Sequence, residues 1–218
     1  MRDPLNRDMP THPSLIKGQT DGQIERQRKG SSLPITPACT SLLEAMTGPF
    51  TVLDLETTGL DPDRDEIIEM AAILVDAGFN PIGEFTALIT PRIALPAQIT
   101  RLTGIEQSLL DSQGISLQDG MAALLNFLGN RPVFAHYAPF DQSFLSNAAQ
   151  ECNLGFANAM YDTISLAEAA WPDLDSYGLF SLAQWLGVGN QPAHRALADA
   201  KATLEVLKEA DRVLRSPP

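Results

Sequence analysis

The chain contains little cysteine, no long apolar run and few basic residues. Its two cysteines, Cys39 and Cys152, lack the paired spacing of a zinc site or a redox motif, so we expect free thiols in a reducing, cytoplasmic setting. No apolar stretch approaches the roughly 20 residues that a membrane-spanning helix needs. From Met1 onward the N-terminus is polar and proline-rich, without the apolar core of a secretory signal. We therefore expect no membrane association.

The shortage of basic residues is concentrated in the later part of the chain. The 218 residues include 15 Lys/Arg and 27 Asp/Glu, which gives a formal net charge of −12 at pH 7. Residues 49–218 hold nine Lys/Arg against 22 Asp/Glu, whereas residues 1–48 are close to neutral. Such an acidic domain lacks the basic surface that captures nucleic acid broadly. Its charge favours solubility and leaves room for binding a chain end through cations.

Two regions differ in regularity. Residues 1–40 are proline-rich and polar without periodicity, and we predict a poorly ordered N-terminal extension there. Residues 41–218 have the length and apolar content of one domain. The predicted strands cover residues 50–56, 67–75, 84–89 and 133–136, with a fifth ending at 161–163. The predicted helices cover residues 41–46, 117–128, 141–152, 179–186 and 196–214. Three strands on short linkers, then strands alternating with helices, indicate an α/β fold with a mixed sheet covered by helices.

Two acids interrupt the apolar run that forms the first predicted strand. Asp54 and Glu56 are two residues apart, so their side chains should point to the same face, at the carboxyl end of the strand. Acids in a buried strand are costly unless a partner compensates them, and a divalent cation is the obvious partner. An isolated Asp-x-Glu pair is also common on the surface of acidic proteins. The functional interpretation therefore depends on the apolar residues that surround Asp54 and Glu56.

Three further residues extend this pattern. Asp141 lies where a predicted strand leads into a helix and could be a helix-capping or first-turn acid. His194 and Asp199 are five residues apart, and each alone could be a capping histidine or an exposed helix acid. Carboxylate oxygens suit Mg²⁺ or Mn²⁺ better than zinc. Together with Asp54 and Glu56, these residues favour a metal site.

Three ordered blocks resemble the motifs of the DnaQ-like, or DEDDh, 3′–5′ exonucleases of the ribonuclease H-like superfamily. The blocks are residues 53–60, 140–145 and 194–200, with residues 99–105 between them, and the resemblance covers about residues 49–214. It implies a five-stranded mixed sheet whose second strand is antiparallel. It also implies metal-dependent hydrolysis of phosphodiester bonds from nucleic-acid 3′ ends, with release of nucleoside monophosphates, and DNA is the favoured substrate.

The resemblance assigns roles to the five residues. Asp54, Glu56, Asp141 and Asp199 would hold two Mg²⁺ or Mn²⁺ ions, with Asp54 between them. His194 would take the proton from the attacking water, for which an imidazole pKa near 6.5 is suitable.

Substrate contacts are predicted around the turn after the first strand. The backbone N–H groups of Thr57, Thr58 and Gly59 could bind the terminal 3′-hydroxyl and phosphate, and Gly59 would let nucleic acid approach closely. Leu60 could wedge against the last base. Phe140 could stack on substrate or belong to the core.

Other positions near these blocks have open interpretations. His136 could face the site or be a hydrogen-bonded residue at a strand end. Tyr137 stands where the family often has asparagine, which puts a substrate contact in doubt. Arg101 and Arg195 could touch phosphate but are interpreted as surface residues, because the chain has no basic stripe.

Alternative functions remain within and outside this enzyme class. The domain could be an RNA-trimming exoribonuclease, a polymerase proofreading subunit, or a non-catalytic module that binds nucleic acid or protein. The last is disfavoured because all five residues of the pattern are present. The chain stops at Pro218 just after the last predicted helix, so we expect a stand-alone enzyme or one that meets a protein partner through residues 1–40. The strandedness of the substrate and the oligomeric state stay open.

Overall fold

The computed structural model describes residues 37–188 and 194–216. Its centre is a five-stranded mixed sheet in the order β3-β2-β1-β4-β5, in which β1 and β2 and also β2 and β3 pair antiparallel, while β1–β4 and β4–β5 are parallel. The strands are β1 (Phe50–Thr57), β2 (Ile67–Val75), β3 (Pro81–Leu88), β4 (Val133–Ala135) and β5 (Met160–Asp162). The predicted ribonuclease H-like sheet with an antiparallel second strand is confirmed.

Eight helices accompany the sheet in the described part of the chain. They are α1 (Pro37–Ala45), α2 (Ala97–Thr103), α3 (Gln107–Gln113), α4 (Leu117–Leu128), α5 (Ala138–Glu151), α6 (Thr163–Ala170), α7 (Leu179–Leu186) and α8 (Ala196–Arg215). Helices α2, α3 and α6 were not predicted from the sequence: each has only seven or eight residues, about two turns, and none shows the clear apolar period that predicted α7. The third strand begins at Pro81, three residues before its predicted start. Proline is tolerated there because it opens an edge strand, where its missing N–H breaks no ladder.

The two faces of β1 enter two different cores. Phe50 and Val52 pack with side chains of α6, α7 and α8, whereas Leu53 and Leu55 pack with side chains of α4 and α5. Because side chains alternate along a strand, Asp54 shares the face of Val52 and points toward the α8 side. The alternation of β1 therefore places Asp54 on the face of the sheet that α6, α7 and α8 cover.

The N-terminal boundary involves α1. Leu42, Leu43 and Met46 are buried in the core that contains α8, and Arg215 Nη2 donates a hydrogen bond of 2.7 Å to the carbonyl oxygen of Leu43. The predicted extension falls mostly on residues 1–36, which lie outside the described residues, so the division at residue 40 stays a prediction. Among the described helices, none combines the length and apolarity that crossing a bilayer requires.

Candidate active site

Three carboxylates converge beside the end of β1. Oxygen atoms of Asp54, Glu56 and Asp199 all lie within 4.8 Å of one another. Asp54 and Glu56 come from the α8-facing side of β1, and Asp199 comes from the first turn of α8. A group of three carboxylate oxygens at this spacing matches the ligand preference of a hard divalent cation. The predicted convergence of these residues is therefore present in the structure.

The electrostatics of this group call for a positive charge. Burial raises the pKa of Asp54 well above its usual range, and the charges of Asp141 and Asp199 raise it further. Burial, followed by the charge of Asp199, raises the pKa of Glu56 to about 8. Burial and like charge both penalise the ionised form, and a bound cation reverses both effects. The donor set thus fits a divalent metal ion.

Asp141 lies next to this group but outside the three-carboxylate set. It occupies the first turn of α5 and is buried. Burial raises its pKa, while backbone hydrogen bonds from its own amide and from Leu55 oppose the rise. The Leu55 amide is within reach because β4 pairs with β1 only at Thr51 and Val52. Tyr137 holds the N-cap position of α5, so the capping alternative for Asp141 is wrong.

His194 stands two residues before α8 with its side chain exposed. Its backbone adopts φ of 58°, and its N–H donates to Asp199 Oδ2 at 3.2 Å. Asp199 is buried, so its interpretation as an exposed helix acid is wrong. Residues 189–193, which precede His194, lie outside the described residues.

The turn after β1 is held by contacts within the chain. Thr58 N–H donates to the carbonyl oxygen of Glu66 at 2.8 Å, and Thr58 Oγ1 donates to Asp65 Oδ1 at 3.2 Å. Thr57 Oγ1 donates to the carbonyl oxygen of Gly59. A side chain at Gly59 would collide with the Asp65 carboxylate, so Asp65, and not substrate, already occupies the space that this glycine provides. The Thr58 amide is likewise engaged within the protein.

Of the remaining predicted substrate residues, Leu60 is exposed, whereas Phe140 and His136 are packed within the protein. Leu60 is 65% exposed and is free to meet a ligand. Phe140 packs on Phe144 with ring centroids 4.8 Å apart and joins the core under α5, which favours its structural alternative.

His136 also has a structural environment. Its Nε2 donates to the carbonyl oxygen of Tyr177 at 2.8 Å, which leaves Nδ1 to accept from the Thr163 hydroxyl at 2.9 Å. Burial lowers the pKa of His136, in keeping with this neutral form. With both ring nitrogens engaged, the hydrogen-bonded alternative is favoured over substrate contact.

One contact beside the site was not predicted from the sequence. Glu69 on β2 is 5% exposed and forms an ion pair of 2.8 Å with Arg195, so Arg195 is not a free surface residue as predicted. Glu69 directly faces Glu56 across the β1–β2 register. The signal that revealed Asp54, an acid inside an apolar strand, was also present in residues 67–75 and would have revealed Glu69.

Comparison with known proteins places this geometry in a family. The model of the exonuclease family RNase_T matches residues 51–207. The chain belongs to this exonuclease family. The "DNA polymerase III subunit epsilon" of Aquifex aeolicus is 32% identical over 162 residues, covering 74% of this chain and 79% of that protein. The "DNA polymerase III PolC-type" of Clostridium perfringens is 33% identical over 165 residues, covering 76% of this chain.

The similarity covers only part of some relatives, and it extends to solved structures. The exonuclease chain spans about a tenth of the PolC-type relative, since the match covers 11% of that protein. An Escherichia coli ExoI–ssDNA complex matches with a TM-score of 0.70 at 21% identity, over 78% of this chain and 42% of that one. This likeness confirms the fold.

Proposed function

We propose that the chain is a divalent-metal-dependent 3′–5′ exonuclease that hydrolyses phosphodiester bonds at nucleic-acid 3′ ends and releases nucleoside monophosphates, with DNA favoured. The observation that carries the proposal is the convergence of Asp54, Glu56 and Asp199 within a domain of the exonuclease family. The preference for DNA is supported by the names of the relatives, which are DNA polymerase III components.

The residues of the site divide into metal ligands, a general base and a substrate contact. Asp54, Glu56 and Asp199 would hold Mg²⁺ or Mn²⁺, and Asp141 beside them would support a second ion. When bound, such ions supply positive charge that polarises the scissile phosphate and activates water. His194 would accept the proton of the attacking water; the exposure of this residue and the hydrogen bond from its backbone N–H to Asp199, one of the three carboxylates, support this role. Leu60 limits the site to a chain end by contacting the last base.

A proofreading role in a polymerase is the second candidate. It is supported by the similarity to PolC-type polymerases and to a polymerase III epsilon subunit. In that role the same site would act on a mismatched primer end, and a protein partner could bind through residues 1–40. A cytoplasmic location remains part of the proposal, as predicted from the use of cysteine.

The test uses oligonucleotides of DNA and of RNA labelled at either end. We expect the wild type with Mg²⁺ or Mn²⁺ to shorten 5′-labelled DNA stepwise from its 3′ end, to release labelled mononucleotide from 3′-labelled DNA, and to stop with EDTA. His194→Ala should lower kcat by about 10²- to 10⁴-fold, the usual contribution of a general base. Asp54→Asn should lose activity at saturating metal ion.

Asp111→Asn is the matched control, because Asp111 is an exposed carboxylate on α3 that accepts a hydrogen bond from Gln107 and belongs to none of the motif blocks. It should retain wild-type activity. Internal cuts, shortening from the 5′ end, or full activity of His194→Ala would contradict the proposal. Faster cleavage of RNA than of DNA would favour the RNA-trimming alternative, and a preference for mismatched primer ends would favour proofreading.

A further inference from the structure

We propose that Glu69 and Arg195 form a positioning pair that holds the start of α8 against the sheet and thereby fixes His194 for proton transfer. The inference rests on the proposed function, because it gives His194 a supporting contact for the role assigned there. Neither residue touches the reacting atoms in this proposal; both act through the backbone of residues 194–196.

The buried carboxylate of Glu69 accepts three hydrogen bonds. Its Oε1 accepts from Arg195 Nη2 at 2.8 Å, and its Oε2 accepts from Arg195 Nε at 3.2 Å and from the Ala196 backbone N–H at 3.0 Å. The two bonds to the guanidinium form the bidentate arrangement that gives arginine–carboxylate pairs their directionality. The third bond satisfies a backbone donor in the first turn of α8, whose N-cap residue, Arg195, provides no capping side chain. The Glu69 carboxylate, which comes from β2, therefore caps the N-terminus of α8.

The same contact limits the freedom of His194 from one side, and Asp199 limits it from the other. Glu69 holds residues 195 and 196, while Asp199 Oδ2 accepts the N–H of His194. Between these anchors His194 adopts φ of 58°, a left-handed conformation that is unfavourable for a residue with a side chain. Such conformations persist only where the surrounding contacts determine them. The Glu69 contact is thus part of what holds His194 in this conformation.

A second ion pair on the same helix offers a matched control. Lys201 of α8 pairs with Glu84 of β3 at 2.9 Å, and both side chains are about half exposed. This pair also ties α8 to the sheet, but it lies beyond the first turn and away from His194. Removing the Lys201–Glu84 ion pair tests whether the loss of any contact between α8 and the sheet lowers activity.

The experiment compares Glu69→Gln, Arg195→Gln, the double variant and Glu84→Gln with the wild type, using kcat and KM on 3′-labelled DNA with Mg²⁺. We expect each single variant of the pair to lower kcat about 10- to 100-fold with little change in KM, because small misplacements of a catalytic group cost this much. The double variant should be no slower than the slower single variant, since both changes break one interaction. Arg195→Lys should have a kcat between those of Arg195→Gln and the wild type, because lysine keeps the charge but loses the bidentate geometry. Glu84→Gln should keep kcat within twofold.

Two readouts separate positioning from general stability and from the proposed function itself. Amide hydrogen exchange at residues 194–196 should be faster in Glu69→Gln and unchanged in Glu84→Gln, whether or not the enzyme is active. The Mg²⁺-induced rise in Tm should persist in both, because Asp54, Glu56 and Asp199 are untouched.

With an active wild type, the proposed function stands and three results would overturn the inference. They are an unchanged kcat in Glu69→Gln, a loss of kcat in the double variant equal to the product of the two single losses, and a loss of kcat in Glu84→Gln as large as that in Glu69→Gln. An inactive wild type would instead sink the proposed function and the proton-transfer role that rests on it; hydrogen exchange would still show whether Glu69 holds the start of α8.

Discussion

Two residues near the site have backbone conformations that are unfavourable for their side chains. Tyr137 and His194 both have positive φ, and each stands next to a predicted catalytic element. At Tyr137 the backbone N–H donates to Asp162 Oδ1 at 3.0 Å, which holds the left-handed conformation at the start of α5. Asparagine adopts this conformation more readily than tyrosine. The asparagine that the resemblance implies at this position would therefore be less strained than Tyr137.

We therefore expect Tyr137→Asn to stabilise the domain by up to about 1 kcal/mol, because the substitution relieves backbone strain at an exposed position. Tyr137→Phe is the control, since it removes only the hydroxyl group and should leave the stability within about 0.5 kcal/mol of the wild type. Urea unfolding followed by circular dichroism measures both. A Tyr137→Asn protein less stable than Tyr137→Phe would contradict the strain argument.

At the scale of elements, Asp162 joins the end of β5 to the starts of two helices. Its Oδ1 accepts from the backbone N–H of Ile164, which caps α6, and from that of Tyr137, which begins α5. Both helices start at the carboxyl ends of the parallel strands, where the site lies. Asp162 is thus a structural residue that anchors the starts of both helices.

Asp162→Ala should lower the free energy of unfolding by about 1–2 kcal/mol or more, because two backbone donors lose their acceptor. Asp162→Asn should retain most of the stability, since the amide oxygen can accept the same bonds. Ser116→Ala gives a comparison with a cap that serves one backbone donor, Asp119 N–H, and should cost less than Asp162→Ala. If Asp162→Ala cost no more than Ser116→Ala, the double anchoring would be refuted; urea unfolding of the three variants decides this.

At the scale of the whole molecule, the acidic site and the net charge of −12 make stability depend on protons and cations. Folding raises the pKa of Asp54, Asp141 and Glu56, so the metal-free folded state binds protons more tightly than the unfolded state. By linkage, this stabilisation is complete at acidic pH and is lost as the pH rises. For Glu56 the loss runs from its ordinary value near 4.5 to about 8.

Above pH 8, Mg²⁺ should therefore raise Tm by several degrees, and by clearly less at pH 5.5, where protons already neutralise the site. Asp54→Asn should reduce both the Mg²⁺ effect and the loss of Tm between pH 5.5 and 8.5 in EDTA. His136, whose pKa is lowered by burial, contributes equally to both proteins and cancels in the comparison. Thermal scans at the two pH values, with EDTA or Mg²⁺, test this; an Mg²⁺ effect that is larger at pH 5.5 would exclude cation binding by these carboxylates.

The sequence by itself determined those features that depend on neighbouring residues. Short linkers between β1, β2 and β3 dictate an antiparallel meander, and the two-residue period of a strand places Asp54 and Glu56 on one face. The three motif blocks were sufficient for the family and for the five proposed catalytic residues. Chain geometry over a few residues sets the meander and the shared face, so both can be predicted without coordinates, whereas the family and the proposed roles came from the resemblance of the motif blocks.

Tertiary structure alone decided which residues distant in sequence meet. Glu69 contacts Arg195 across 126 positions, and the ring of His136 bonds to Tyr177 41 residues later. Even within the turn after β1, packing decided that Asp65 fills the space that Gly59 leaves. Each of these contacts follows from how α8, the turn after β1 and the segment before α7 pack on the sheet. Packing depends on the shapes and charges of whole elements at once, whereas local periodicity depends only on the residues within one element.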